Sequence, residues 1–378
     1  MTIARASAFA LLAALGAIQF SIAAGQILLA LAALGWLASF FSPAAAGERR
    51  FAAPAFFAPL VLYAVWTLVA TVFSRDPGVS LEANKELLLL LVVPMIMTLL
   101  AGDRAPRALD VLITVGALVA IVGVYQYTLL NYDTLGQRPK GTLSHYMTYS
   151  GVLMLLVCAT AARLLFQPGQ RIWPALIMPA LLVALATTLS RNAWVGALVG
   201  IAVLLMLRDF RLMALLPVAA AAIVLFAPSE IVTRVYSVFD LKDPTNRDRI
   251  AMARAGGAMI EDSPLTGIGP DMVAEVYPQY RTDDAVEATV PHLHNVPLHI
   301  AAERGIPAVL LWVWFVVVAG RDLLRLARRE RTALAAAGLA VLVAMVTAGM
   351  FEYNFGDTEV LVPFLALITL PFAAIRHE

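Results

Sequence analysis

The chain of 378 residues is 61% hydrophobic and only 14% charged, with a formal net charge of +1 and a mean hydropathy of +0.82. A soluble domain carries roughly a quarter of its residues charged, which excludes an ordinary globular fold. The near-zero net charge provides no field to draw in nucleic acid.

The charges that exist are sorted into short intervals between apolar runs. A bilayer core of about 30 Å needs about 20 apolar residues in a helix. The runs predict helices over 6–22, 24–41, 54–73, 86–101, 109–130, 146–166, 172–190, 192–207, 212–228, 297–320, 332–351 and 359–375. The first apolar block is long enough for two of them, with a break near Ala23, Gly25 and Gln26. Arg5 and the run after it mimic a signal peptide, but a second apolar run follows at once, so 6–22 is expected to be retained. The shorter runs lean on flanking Arg stems that reach the interface. Cys158, the only cysteine, falls mid-helix as a small packing residue and permits no internal disulfide. These runs predict an all-α polytopic membrane protein of about 12 transmembrane helices. Its parts are helices in 1–228, one large loop domain in 229–304, and helices in 305–378.

With twelve spans both ends lie on one side. That side holds Arg5, Arg49, Arg50, Arg104, Arg107, Arg163, Arg171, Arg208, Arg211, Arg321, Arg325, Arg328, Arg329, Arg331 and Arg376. The short loops opposite hold Arg75, Lys85, Arg138, Lys140 and Arg191. Positive charge collects on the cytoplasmic side, so the ends are expected there and the large loop outside. Most acids share that outer side with His145, His292, His294 and His299. It is the face where chemistry is expected.

Within the loop, Arg247, Ile250, Arg254 and Ala258 recur at helical spacing, on a helix capped near Thr245 and ended by Asp262-Ser263-Pro264. Gly267-Ile268-Gly269-Pro270 lacks the third glycine and the preceding strand of a dinucleotide fingerprint, and reads as a backbone turn. Val290-Pro291-His292-Leu293-His294-Asn295 then leads into a helix that Gly305-Ile306-Pro307 breaks. On that helix His299 and Glu303 are four apart and can touch.

His292 and His294 leave three readings open. A zinc site would need a third ligand, for which Asp283, Asp284 and His299 stand at no diagnostic spacing. A structural role would cap the helix or sit among headgroups. A catalytic or substrate-binding role would point His294 into a cavity beneath the loop. Tyr277 and Tyr280 have the chemistry to stack on a sugar, whereas Trp312 and Trp314 read as packing or interface aromatics.

Ser190-Arg191-Asn192-Ala193-Trp194 joins two apolar runs with almost no loop. An arginine well inside a bilayer costs about 2.5–3.5 kcal/mol, so Arg191 marks a pairing or a function, the alternative being a stem snorkelling to headgroup phosphate. With Arg138, Lys140 and His145 in one outer loop and Arg247, Arg249 and Arg254 in the large one, it makes a cationic ring. Such a ring suits an anionic group at the outer leaflet, and a diphosphate carried on a lipid fits it.

Ser-Arg-Asn-Ala-Trp opening a helix, then Asn-Arg-Asp-Arg-Ile from Asn246, Asp-Ser-Pro-Leu-Thr-Gly-Ile-Gly-Pro from Asp262, His-Leu-His-Asn from His292 and Glu-Arg-Gly-Ile-Pro from Glu303, resembles the O-antigen ligase and polymerase superfamily. The resemblance implies a fold similar to C-type glycosyltransferases, in the inner membrane of a Gram-negative bacterium, with its site on the periplasmic face. It implies transfer of a glycan from undecaprenyl diphosphate to lipid A-core, among membrane lipids, without metal, nucleotide sugar or other cofactor. It makes His294 the general base, with His292 as the alternative, and sets Arg191 and Arg249 (or Arg247) on the diphosphate. Arg138, Lys140, His145, Arg254 and His299 are expected around the substrates. Direct displacement by the acceptor hydroxyl would invert the anomeric centre, with His294 taking the proton. His-x-His-Asn favours a ligase. A polymerase or a protein O-oligosaccharyltransferase would use the same donor, and a transporter would use Arg191 and the loop as a gated anion site. The apolar runs contain no inverted pair of broken helices that would favour the transporter.

Overall fold

The structure, a computed structural model, describes residues 2–41, 53–240 and 242–375. Arg49, Arg50 and Arg376, which entered the topology count, lie outside the described residues. The described residues are built from helices, with no named strand among them.

Helices α1 (Ile3–Ala17) and α2 (Ile22–Phe40) form a hairpin. Its turn falls before the break expected at Ala23–Gly25, because the Ser21 hydroxyl accepts the Ala24 N–H and starts the second helix there. Next come α3 (Phe57–Val72) and the short α4 (Pro77–Ala83). The single helix expected over 86–101 is instead a 3-10 stretch, Asn84–Leu91, followed by α5 (Val92–Leu99). Pro94 withholds the N–H that an α-helix would donate to Leu90, and the chain upstream tightens into 3-10 turns.

The other expected runs are each helical. They are α6 (Arg104–Leu129), α7 (Tyr146–Phe166), α8 (Ile172–Thr187), α9 (Arg191–Arg208) and α10 (Leu215–Phe226). The large loop folds into α11 (Ser229–Tyr236), α12 (Pro244–Asp262) and α13 (Val273–Tyr280). Then follow α14 (Val296–Glu330), α15 (Ala333–Gly349) and α16 (Thr358–Ala374). By length and composition α2, α6, α7, α9 and α14 can each cross a bilayer, and α1, α3, α8, α15 and α16 are apolar but shorter. The chain is a helical, multi-pass membrane protein.

Its centre is α15, buried along nearly its whole length and packed against α7, α9, α14 and α16. Gly196 and Gly200 of α9 lie directly on the Ala344 and Ala340 carbonyls, the close backbone approach that small residues allow. Arg163 and Asp110, 2.5 Å apart, tie α7 to α6. Exposed Leu31, Leu34, Val65 and Leu198 present apolar surface outward, as lipid-facing positions require.

One local break positions the functional loop. Gly305 has φ 77° and ψ 171° inside α14, so the helix is interrupted there. The interruption leaves carbonyls without helical partners, and three outside donors take them. Ile268 N–H donates to Ala302 O at 2.9 Å, Gly269 N–H to Glu303 O at 3.0 Å, and Trp66 Nε1 to Arg304 O at 2.9 Å. Gly267 and Gly269, at φ 68° and 113°, make the turn that reaches into the gap. A Cβ on Gly267 would collide with the Glu303 carbonyl. The Gly-x-Gly motif is thus a backbone plug that fastens the loop to the membrane helices.

The loop has a small core of its own, formed by Met252, Met259, Ile268, Val276, Tyr277 and Leu293. Tyr277 is fully buried in it, so it lines no groove, and the Tyr280 hydroxyl donates to Asp262 at 2.6 Å. Asp243, not Thr245, caps α12, with Pro244 as its first residue. Proline sets the helical φ in advance, which moves the start upstream.

Candidate functional site

The site is assembled around Asn295. Its Oδ1 accepts the Leu298 N–H at 2.9 Å, capping α14, and its Nδ2 donates to Met350 O at 2.9 Å. The second bond draws the connection between α15 and α16 beneath the histidine motif. Glu352 in that connection receives both imidazoles. His294 Nδ1 lies 2.8 Å from one carboxylate oxygen and His292 Nε2 lies 3.5 Å from the other.

Burial alone would raise Glu352, yet the His294 and His292 rings hold it down at about 2. Burial pushes His292 down to about 4, against the pull of Glu352. A neutral His294 facing an ionised carboxylate must carry its proton on Nδ1, which leaves Nε2 with a lone pair. Nε2 has no partner among the described residues, and the side chain is 18% exposed. The remaining nitrogen of His292, Nδ1, is buried without a partner. His294 also has φ 47°, a left-handed conformation that non-glycine residues adopt at a cost of about 1–3 kcal/mol.

Cations approach the same carboxylate. Arg249 on α12 is partly buried, its Nε has no partner, and it lies in the electrostatic reach of Glu352, Arg234, Tyr146 and Asp243. Burial pushes the Arg249 guanidinium down, and Glu352 opposes this. Arg191 opens α9 just after Leu189, itself at φ 52°. Its fork is already occupied: one nitrogen donates to Ser237 O and Oγ at 2.8 and 3.0 Å, the other to Asn246 Oδ1 at 2.9 Å, with Asp243 at 3.6 Å. Arg234 of α11 sits 3.4 Å from Asp243 and donates to Leu189 O. Arg138 lies over the Tyr146 ring, 4.0 Å from its centroid. His145 caps α7 through Nδ1, and burial, then Arg138, His294 and Lys140, lower it while Glu352 raises it.

Four guanidinium groups (Arg138, Arg191, Arg234, Arg249) therefore face two carboxylates (Asp243, Glu352), an excess of two positive charges in one electrostatic neighbourhood. A cavity of about 450 Å³ opens beside it, lined by Leu189, Arg234, Ser237 and three carboxylates, Asp133, Glu230 and Asp243. The arginine cluster beside Glu352, rather than this acidic wall, has the charge to meet an anion next to a base.

Of the sequence-predicted residues, His292, His294, Arg249, Arg191, Arg138 and His145 are brought together, and exposed Lys140 lies within reach of His145. Arg247 and Arg254 are not. They sit on the exposed side of α12 and bind Asp284, at 3.4 and 2.9 Å. His299 is buried behind the site, its Nε2 3.3 Å from Glu303. Sequence reasoning passed over Glu352 and Arg234. An acidic interval, Glu352, Asp357 and Glu359, between two charge-free runs on the histidine side was the available signal for Glu352, since an imidazole base needs a carboxylate to orient it.

Glu352, rather than Asp283, Asp284 or His299, is the third group beside the histidines, and the three place one ligand atom each within 4.8 Å, close enough to hold a metal ion. Two ligands on one tetrahedral zinc stand about 3.3 Å apart, given bonds of about 2.0–2.1 Å. The 2.8 Å His294–Glu352 contact is instead a hydrogen bond, which an ion would have to displace.

A protein-family model described as O-antigen ligase matches residues 175–313. That stretch runs from α8 through the loop into α14 and includes Arg191, Arg249, His292 and His294. No curated protein matches the chain. Over residues 175–313 the chain is similar to the O-antigen ligase family, which supports a transferase of the ligase or polymerase type acting on a lipid-linked glycan and a lipid acceptor.

Proposed function

We propose that the protein is an O-antigen ligase: it moves a glycan from undecaprenyl diphosphate to a sugar hydroxyl of lipid A-core, at the periplasmic face of a Gram-negative inner membrane. The observation that carries this reading is the free Nε2 of His294, on a ring fixed by Glu352, beside an excess of arginine charge.

In this mechanism the acceptor oxygen attacks the anomeric carbon of the donor sugar from the face opposite the lipid diphosphate. The new C–O bond forms as the bond to the diphosphate breaks, inverting the anomeric centre. The hydroxyl proton passes to His294 Nε2, and Glu352 stabilises the imidazolium that results. His292 supports the same carboxylate, and its other nitrogen points into the interior rather than towards substrate. Arg249, partly buried and within the electrostatic reach of Glu352, supplies positive charge for the departing diphosphate. Arg191, Arg138 and Arg234 add fixed positive potential and shape the wall, a role that preorganised charge performs without reorganising. The ring of the sequence reading thus keeps three of its arginines, Arg138, Arg191 and Arg249, and gains Arg234, with Arg247 and Arg254 left outside on Asp284.

The test mixes purified protein in lipid vesicles with undecaprenyl-diphosphate-linked glycan and lipid A-core, in chelator. Joined product with equal release of undecaprenyl diphosphate is expected. Growth of the glycan on its own donor without use of lipid A-core would make the protein a polymerase. Glycan uptake with no bond formed, or transfer that requires an added divalent ion, would overturn the mechanism.

A further inference from the structure

Behind the His294–Glu352 pair stands His299, 3% exposed and shut away from any substrate. We infer that His299 is a positioning residue for the transfer reaction, fixing the spacing between His294 and Glu352; this rests on His294 being the base.

Its contacts reach both partners through their chain neighbours. Nδ1 accepts the N–H of Leu293, the residue before His294, at 3.4 Å. The ring lies against Tyr353, the residue after Glu352, with centroids 3.8 Å apart. Tyr353 N–H in turn donates to Glu352 Oε1 at 3.0 Å, so a displaced Tyr353 drags the carboxylate with it. One side chain therefore spaces the two segments that carry the reacting pair.

The ring has nothing left for substrate. With Nδ1 accepting, Nε2 carries the proton and faces Glu303 Oε1 at 3.3 Å, while Arg304 holds the other Glu303 oxygen at 2.7 Å. That carboxylate lies at the helix break whose carbonyls the Gly267–Gly269 turn occupies. His299 thus connects the plug that fastens the loop to the residue preceding the base. A left-handed His294 persists only where its surroundings over-determine it. The Leu293 N–H bond, the buried Leu293 side chain and the Asn295 cap are those determinants.

Three variants of the full-length protein, reconstituted in vesicles, separate positioning from mere core filling. His299→Asn puts an amide oxygen near Nδ1 and keeps the Leu293 bond, but falls short of Glu303. His299→Gln reaches Glu303 and leaves the Leu293 N–H bare. His299→Leu removes both. Per folded molecule, the Leu variant is expected to lose about 10–100-fold in kcat with donor KM unchanged, the scale of other supporting-residue losses. The Asn variant should recover most of that and the Gln variant little. If Gln equals or exceeds Asn, or if all three retain wild-type kcat per folded molecule, the positioning role is overturned. His294→Ala runs alongside: transfer surviving it removes the base itself, whereas its inactivity with the wrong Asn–Gln order removes only the inference about His299.

Discussion

Two imidazole–carboxylate pairs lie close together in this protein, and they differ in what is left over. His299 and Glu303 sit four apart on one helix, both buried, with both ring nitrogens engaged and both carboxylate oxygens taken. His294 and Glu352 come from segments on either side of two long helices, and their pair ends in a partly exposed nitrogen with no partner. The helix-borne pair is complete and can only hold. The loop-borne pair leaves one ring nitrogen without a partner, so it can accept a proton. A site is marked here by the bond the fold leaves unmade.

The largest effect that tests this contrast is on His294. Replacing it with Ala removes the unmade bond and should lower transfer about 10²–10⁴-fold. Initial rates in reconstituted vesicles, scaled to folded protein, measure it. A loss under tenfold would erase the distinction between the pairs.

Next is the contrast between the two sides of α12. Arg249→Ala removes the guanidinium that acts on Glu352 and should cost about 10²–10³-fold, the scale of losing one preorganised charge stabiliser. Arg254→Ala, on the Asp284 side, should leave the rate within about twofold, because exposed ion pairs contribute about 0–1 kcal/mol. Equal losses in the same transfer assay would mean that the cationic ring includes the outer side after all.

That contrast also marks where sequence reasoning stopped. Hydropathy located the apolar helices because burial in lipid dictates composition residue by residue, and Gly305-Ile306-Pro307 announced the helix break through backbone sterics alone. Local periodicity put Arg247 and Arg254 on one face of α12, but it carries no information on which face turns inward. Glu352 was illegible for a related reason. Its partner is far away in sequence, and only the packing of α14 against α15 and the Asn295–Met350 bond bring the two together. Arg191 was found, yet its fork is spent on Ser237 and Asn246, a detail of loop folding that no motif spells out.

Glu352→Gln should have a smaller effect, about 10–100-fold, as expected when an orienting partner is neutralised. The amide keeps the size but no longer dictates which His294 nitrogen carries the proton. The reading needs kcat to fall while donor KM stays close to wild type. A rise in KM alone would instead make Glu352 part of the binding wall.

The smallest effect concerns what it costs the fold to keep an ionised Glu352 in that connection. Asp357 lies five residues further on, accepting the Thr148 hydroxyl at 3.2 Å. Burial, then Glu352 and Glu359, push it up to about 7. A carboxyl raised in the folded state binds its proton more tightly there than in the unfolded chain. Its contribution is therefore fully present below the ordinary range near pH 4 and is lost as pH rises through about 7. His292 works the other way over part of this range, since burial lowers it to about 4 and its neutral form is favoured as pH rises. The quantity to read is thus the difference in thermal midpoint between wild type and Asp357→Asn in detergent, at pH 5 and at pH 8. Asparagine cannot ionise, so wild type should lose ground to the variant by roughly 2–4 °C for each kcal/mol of the carboxyl's contribution. A difference that does not change with pH would mean that Asp357 is free of Glu352, and that the loop-borne pair holds its charge without strain on its neighbours.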